Sequence, residues 1–312
     1  MRNPSELGST SNANHTSALR LVSTKDMSRE DWLAVRKQGI GASDAAAAVG
    51  LSPYQSTLEL WMIKTGRDGD MPKVDPNDES SPMYWGTILE PIVAQHYSKR
   101  TGNKVRRINS VLQHPDSDKH WMLANLDYTV VGSDEVQILE CKTAGEWGAK
   151  LWRDGVPEYV QCQVQHQLAV TGKLAADVCV LICGQEIRIH RIERDDELIA
   201  RLIELERQFW HYVETDTPPP ADGSKSAGKA LQYLYQQDSG DVLDLTDDTY
   251  LCQVFTDLLV AREEVSRAEQ MEAERKQTIQ QKMGEASKVI FPNSVVSWKK
   301  NKAGSRRFLI HN

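Results

Sequence analysis

Three runs between Lys104 and Lys142 alternate polar and apolar residues, and helical patterns stand on both sides of them. The runs cover 104–113, 121–131 and 136–142, and the tightest turn between them is Ser133-Asp134-Glu135. Alternation with a period of two places successive side chains on opposite faces of a strand. Before these runs, helices are expected at 29–38, around 57–65 and from Trp85 to Arg100, the last with Pro91 near its first turn. An alanine run after Ser43 and Asp44 reads as another helix, with either residue suited to its N-cap. After the runs come helices at 144–153 and 157–171, then strands at 176–183 and 186–193. An amphipathic helix from Asp195 to Val213 closes the unit, with Leu198, Leu202, Leu205, Phe209 and Val213 on one side. The expected fold class is α+β (α/β): a mixed sheet of about five strands flanked by helices.

The chain has 312 residues, 40% hydrophobic and 26% charged. That composition excludes collagen-like and wholly disordered classes. No stretch approaches the roughly 20 apolar residues of a membrane span, so no membrane role is expected. Residues 1–24 are expected to form a disordered leader, because they are rich in Ser, Asn and Thr and lack the apolar core of a signal peptide. A folded domain is expected at 25–215. Residues 216–246, with Pro218-Pro219-Pro220, have linker composition. Residues 247–312 are expected to hold a long helical arm and a small basic β-hairpin.

Five cysteines, an odd number with no C-x-x-C pair, point to a reducing compartment and away from a zinc ribbon. Cys179 and Cys183 lie in an apolar strand-like run and read as buried thiols. The net charge of −7 disfavours a nonspecific nucleic-acid coat. Charge is uneven, however: residues 283–312 carry six Lys or Arg and one acid. A basic end on an acidic body is compatible with local DNA contact.

The sharpest group of residues is Asp127 followed by Glu140-Cys141-Lys142. On a strand over 136–142, Glu140 and Lys142 share one face and Cys141 takes the other. A hairpin through Gly132 to Glu135 would bring Asp127 beside them. Two carboxylates and a lysine at strand ends suit a hard cation such as Mg²⁺ or Mn²⁺, with the lysine orienting or deprotonating a water. Taken alone, Glu-x-Lys also reads as a surface ion pair.

The order Asp, then Glu-x-Lys on the next strand, resembles the PD-(D/E)xK nuclease core. Arg36-Lys37-Gln38-Gly39-Ile40-Gly41-Ala42-Ser43-Asp44 with Gly50-Leu51-Ser52-Pro53-Tyr54 resembles the opening signature of YqaJ-type phage recombinases, relatives of phage lambda exonuclease. Trp85-Gly86-Thr87-Ile88-Leu89-Glu90-Pro91 is similar to that family's second motif, and Tyr159-Val160-Gln161-Cys162-Gln163-Val164-Gln165 to its glutamine helix. The resemblance spans about residues 29–213, which makes 25–215 a nuclease domain. Beyond it, the likeness is to a helix-plus-hairpin extension of some members.

The resemblance implies a role for each matching residue. Asp127, Glu140 and the Cys141 carbonyl would bind metal, with Glu90 near a second ion. Lys142 would position the attacking water, and Gln163 would orient the lysine or the water. A further acid would fall at Asp116 or Asp118, and the residues leave that choice open. Arg36 and Ser43 match residues that bind a terminal 5′-phosphate. Read without the motifs, Glu90 is an acid early in a helix, Gln163 an exposed glutamine, Arg36 a surface arginine and Ser43 an N-cap. Trp147 and Trp152 read either as core or as base-stacking residues.

The implied activity is Mg²⁺- or Mn²⁺-dependent digestion of duplex DNA from the 5′ end. It would leave a 3′ single-stranded tail for an annealing protein in phage-type recombination. The implied setting is the cytoplasm of a bacterial host, and the implied assembly is a homotrimeric ring on double-stranded DNA ends. Two other readings are a site-specific, restriction-like endonuclease on the same core and a non-catalytic DNA-binding scaffold. Retention of Asp127, Glu140 and Lys142 argues against the scaffold, because a binding module gains nothing from acids beside phosphates.

Overall fold

The structure is a computed structural model that describes residues 17–73, 75–302 and 304–311. The chain divides into two compact units, Met1–Gln237 and Asp238–Asn312. In the first unit, a four-stranded sheet contains β1 (Leu19–Ser23), β2 (Ile40–Gly41), β4 (Ser110–Gln113) and β5 (Met122–Ala124). A five-stranded sheet contains β3 (Lys104–Arg107), β6 (Tyr128–Val131), β7 (Ile138–Ala144), β8 (Ala175–Ile182) and β9 (Glu186–Glu193), in the order β3-β6-β7-β8-β9. Only the β7–β8 pair within it is parallel.

Helices cover both faces of the five-stranded sheet, as a buried parallel pair requires. On one face lies α4 (Pro82–Thr101), whose Val93, Ala94 and Tyr97 pack on Leu139, Cys141 and Cys179. On the other lies α5 (Glu158–Thr171), whose Val160, Val164 and Leu168 pack with Ile138, Val178 and Val180. This face carries the larger core, closed by α3 (Thr57–Lys64) and α6 (Asp196–Glu214). Helix α4 starts at Pro82, earlier than expected, with Ser81 accepting from the Met83 amide. Pro91 therefore lies in the helix interior, where it has no N–H to give the Thr87 carbonyl.

The alternating runs 104–113 and 121–131 are each divided between the two sheets. Ile108-Asn109 and Asn125-Leu126-Asp127 carry the chain across, and the alternation continues because Leu126 is itself buried. The side-chain amide of Asn125 holds the crossing by donating to the Ser110 carbonyl. Asp127 thus stands at the point where the chain enters the central sheet.

Several expectations are corrected. Of the leader 1–24, residues 1–16 lie outside the described residues, but β1 pairs with β4 and belongs to the fold. The 144–153 segment forms only a 3-10 turn at Gly148–Trp152. The alanine helix is a 3-10 turn at Ala42–Asp44 followed by α2, just Ala45–Ala48. The linker 216–246 contains α7 (Lys225–Leu234), capped by Ser224 and docked through buried Ala227 and Ala230. Ser226 ties α7 to α3, accepting from the Ser56 amide at 2.7 Å and bonding Glu59. Cys179 is buried, but Cys183 is exposed with φ +50° in the β8–β9 turn.

The second unit holds a helix, α8 (Thr249–Met283), and a sheet of β10 (Lys288–Phe291), β11 (Ser294–Lys300) and β12 (Arg306–His311). The expected hairpin is thus a three-stranded antiparallel sheet in sequence order. Among the described residues no helix is long and apolar enough to cross a membrane.

Candidate active site

Strand β7 has two faces, and its second half has one open edge. Glu140 and Lys142 project toward α5, while Leu139 and Cys141 project toward α4. Pairing with β6 ends at Tyr128–Leu139, so Cys141 has no strand partner on that edge. The Asp127 carboxylate takes the vacated place, accepting from the Cys141 amide at 2.9 Å. In a strand the N–H and C=O of one residue point to the same edge, so the Cys141 carbonyl opens beside Asp127.

Glu140 is the hub. Its Oε1 accepts from Lys142 Nζ at 2.7 Å and from Gln163 Nε2 at 2.6 Å, and Gln163 Oε1 in turn accepts from Lys142 Nζ at 2.8 Å. The three side chains close a triangle between β7 and α5. Gln167, one turn on, donates to the other oxygen, Glu140 Oε2, at 2.8 Å and is fully buried. Glu140 is only 2% exposed, which a carboxylate tolerates when donors surround it. The surface ion-pair reading of Glu-x-Lys therefore fails, as does the exposed-glutamine reading of the α5 face.

The electrostatics follow from this burial. Burial and the Glu140 charge together push the Asp127 carboxyl well above the usual range. Burial alone would lower the Lys142 ammonium, but Glu140 and Asp127 outweigh it and hold it above its ordinary value. Lys142 is thus held as a cation, suited to orienting an oxygen rather than removing a proton from it.

The donor set of Asp127, Glu140 and the Cys141 carbonyl is all oxygen and fits a hard divalent cation such as Mg²⁺ or Mn²⁺. The raised Asp127 carboxyl fits as well, since a nearby cation would favour its charged form. Glu90 lies on α4, near enough for its charge to act on Asp127, but it is ion-paired with Arg107 of β3. Arg107 also lies over the Tyr128 ring. Among the described residues no three Asp, Glu, His or Cys side chains stand converged on one point, so Glu90 must turn from Arg107 to act as a ligand. Neither Asp116 nor Asp118 joins the group. Asp116 caps a 3-10 turn and pairs with Lys119, while the Asp118 carbonyl accepts from Trp121 and Arg207.

Arg36 and Ser43 form a second cluster. Arg36 Nη2 donates to Ser43 Oγ at 2.7 Å and to Asp44 Oδ1. Asp44 Oδ2 accepts from Lys64 Nζ at 2.7 Å and from the Gly41 amide at 3.1 Å. Burial would raise the Asp44 carboxyl, but Arg36 and Lys64 hold it well below the carboxylate range. Burial lowers the Lys64 ammonium even against the pull of Asp44, so Arg36, the more exposed of the two, is the cation left to meet an anion. A Cβ on Gly41 would stand 2.9 Å from Arg36 Nη2, so a side chain there would push the guanidinium aside. Ser43 is no N-cap, and the four-residue α2 has little dipole to offer an anion. Arg36 is no free surface arginine either.

Sequence reasoning gave Asp44 only as an N-cap and Gln167 only as part of a polar face of its helix, and it passed over Lys64 and Arg107. Gln167 had a signal, since it shares a helix face with Gln163 at i, i+4. Lys64 had none, because only the fold brings it to Asp44. Of the two tryptophans beside the site, Trp152 is core and Trp147 is 83% exposed with Lys150 over its ring.

Comparison with known proteins agrees with this geometry. The YqaJ-like viral recombinase domain matches residues 31–174. YqaJ of Bacillus subtilis (strain 168), itself uncharacterised, is 36% identical over 284 residues, covering 89% of this chain and 86% of that protein. The crystal structure of an alkaline exonuclease from Laribacter hongkongensis, 24% identical, superposes with a TM-score of 0.50 over 60% of this chain and 93% of that one. The fold is that of the PD-(D/E)xK nucleases, and the chain belongs to the YqaJ-like viral recombinase family.

Proposed function

We propose that the chain is a metal-dependent deoxyribonuclease that digests one strand of duplex DNA from its 5′ end. The observation that carries this reading is the closed Glu140–Lys142–Gln163 triangle with Asp127 on the adjoining strand edge. The family and the likeness to an alkaline exonuclease support a nuclease role. The 5′ polarity rests on the Arg36–Ser43 cluster, whose guanidinium and hydroxyl suit a terminal phosphate monoester better than an internal diester.

When bound, a divalent ion would polarise the scissile phosphate and lower the pKa of an attacking water. Asp127, Glu140 and the Cys141 carbonyl would hold it, with Glu90 joining after release from Arg107. The Lys142 ammonium, fixed by Glu140 and Gln163, donates to the attacking oxygen and keeps it in line with the phosphorus. Gln163 prevents Lys142 from collapsing wholly onto Glu140, because its carbonyl competes for the same ammonium. The 3′-tailed product would pass to a single-strand annealing protein, and the working assembly would be a homotrimer on a DNA end.

The test is linear duplex labelled at the 5′ end of one strand or at the 3′ end, together with closed circular duplex, each with Mg²⁺ or chelator. The reading expects Mg²⁺-dependent early loss of the 5′ label, late loss of the 3′ label and an intact circle. Cutting of the circle would point to an endonuclease, and no cutting to a scaffold.

A further inference from the structure

The sheet of the second unit has one face turned to α8 and one face open. Register places Val296, Trp298, Lys300, Arg306 and Phe308 on the first face. Lys276 of α8 lies over the Phe308 ring, which identifies this face as the covered one. Lys288, Ile290, Lys299, Arg307 and Leu309 lie exposed on the other face, around a buried Ser297.

Like charges face each other across the strands on both faces, Lys300 and Arg306 on the first and Lys299 and Arg307 on the second, but only Arg306 is engaged by backbone carbonyls. Arg306 stacks on Trp298 at 3.7 Å and donates to the carbonyls of Trp298, Gly284 and Ala286. It is a structural clamp between the sheet and the end of α8. On the open face, Lys299 stands directly across the strands from Arg307, with Lys288 on the neighbouring strand. Like charges placed opposite each other destabilise a sheet. Nothing on this face offsets them: residues 288–311 contain no Asp or Glu, and among the described residues none of the three has an ion pair.

We infer that the open face of this sheet, through Lys288, Lys299 and Arg307, is a docking surface for the phosphate backbone of duplex DNA. Unneutralised cations on one face match a polyanion. The face carries no Phe, Tyr or Trp, so it offers no platform for the base stacking that single-strand binding uses. Contact is therefore with phosphates, independent of sequence, and it adds hold on the duplex outside the Arg36 and Glu140 clusters. The inference takes only its ligand from the proposed function, and binding tests it without cleavage.

The experiment measures affinity of the full chain for blunt linear duplex against salt, in chelator so that no strand is cut, beside thermal unfolding. Removing one cation that neutralises a phosphate should lower the log–log salt slope by about 0.9. Lys299→Glu should take away one such cation and engage Arg307, so the slope should fall by about 1.8. The same change replaces a like-charge pair with an opposite one, so unfolding should move to higher temperature. Arg307→Gln should lower the slope by about 0.9, and K288Q by a similar step. Weaker binding together with higher stability is the expected signature. An unchanged slope in Lys299→Glu would overturn the proposal, as would a lower unfolding temperature in step with weaker binding. A larger loss of affinity for single-stranded DNA than for duplex would overturn the choice of ligand. Absence of cleavage by the wild type in Mg²⁺ would instead sink the proposed activity and leave the slopes to judge this surface.

Discussion

Gln167 donates its side-chain amide to Glu140 Oε2, the carboxylate oxygen that Lys142 and Gln163 leave free. The carboxylate is thereby fixed from both ends, by three donors on two elements. If Glu140 binds metal as proposed, these donors orient its carboxylate for the ion. Among the described residues the buried amide oxygen of Gln167 has no partner, so the side chain's contribution rests on the Glu140 bond.

Gln167→Met keeps the volume and removes the donor. Loss of such an outer partner typically weakens metal affinity or activity by about 10- to 100-fold. The expected result is a rightward shift of the Mg²⁺ activation curve with DNA affinity in chelator unchanged. An unaltered curve would reduce Gln167 to a core residue.

The Arg36 cluster predicts a preference among DNA ends. Wild-type protein should degrade 5′-phosphorylated duplex faster than the 5′-hydroxyl form, and Arg36→Ala should erase most of the difference. One charge-assisted hydrogen bond is worth about 1.5–3 kcal/mol, or roughly ten- to a hundredfold in rate. Initial rates on the two ends, for both proteins, give the answer. Equal wild-type rates would leave Arg36 a structural partner of Asp44.

His166 and Glu206 predict the pH dependence of stability. Both are fully buried, and His166 bonds Glu206 at 2.7 Å and the Leu123 carbonyl at 3.0 Å. Burial would lower the imidazole, but Glu206 outweighs it and raises it above its ordinary value of 6.5. A raised folded value means the stabilisation is complete below the unfolded value and disappears as pH rises through the folded one. Unfolding temperature should therefore decline as pH rises above about 6.5, and His166→Gln should remove that decline. Breaking a buried pair costs about 3–5 kcal/mol, so the variant should also be less stable at pH 6. A variant with the wild-type pH profile would refute the assignment.

How much of this was legible in the sequence depends on the range of the interaction. Strand periodicity alone puts Glu140 and Lys142 on one face and Cys141 on the other, and the structure agrees. It does not reveal that the face is buried against α5, because Gln163 and Gln167 look as polar as exposed residues. The crossings at Ile108-Asn109 and Asn125-Leu126-Asp127 were hidden because alternation runs through them. Helix α7 was masked by the preceding Pro218-Pro219-Pro220, and its anchor, Ser226 on Ser56, spans 170 residues. Lys64 on Asp44 is likewise a product of the fold. Local pattern located the candidate chemistry, while the groups that hold it in place come from distant segments.

The proposed function depends on hydrolysis of DNA by the Glu140–Lys142–Gln163 group, with Asp127. It is checked by nucleotide release from linear duplex in Mg²⁺ by wild type and Lys142→Ala, with fold and DNA affinity measured on the same samples. The expected outcome is Mg²⁺-dependent release by the wild type and none by Lys142→Ala, at unchanged fold and affinity. Release by Lys142→Ala at close to the wild-type rate would show that this group does not carry the chemistry.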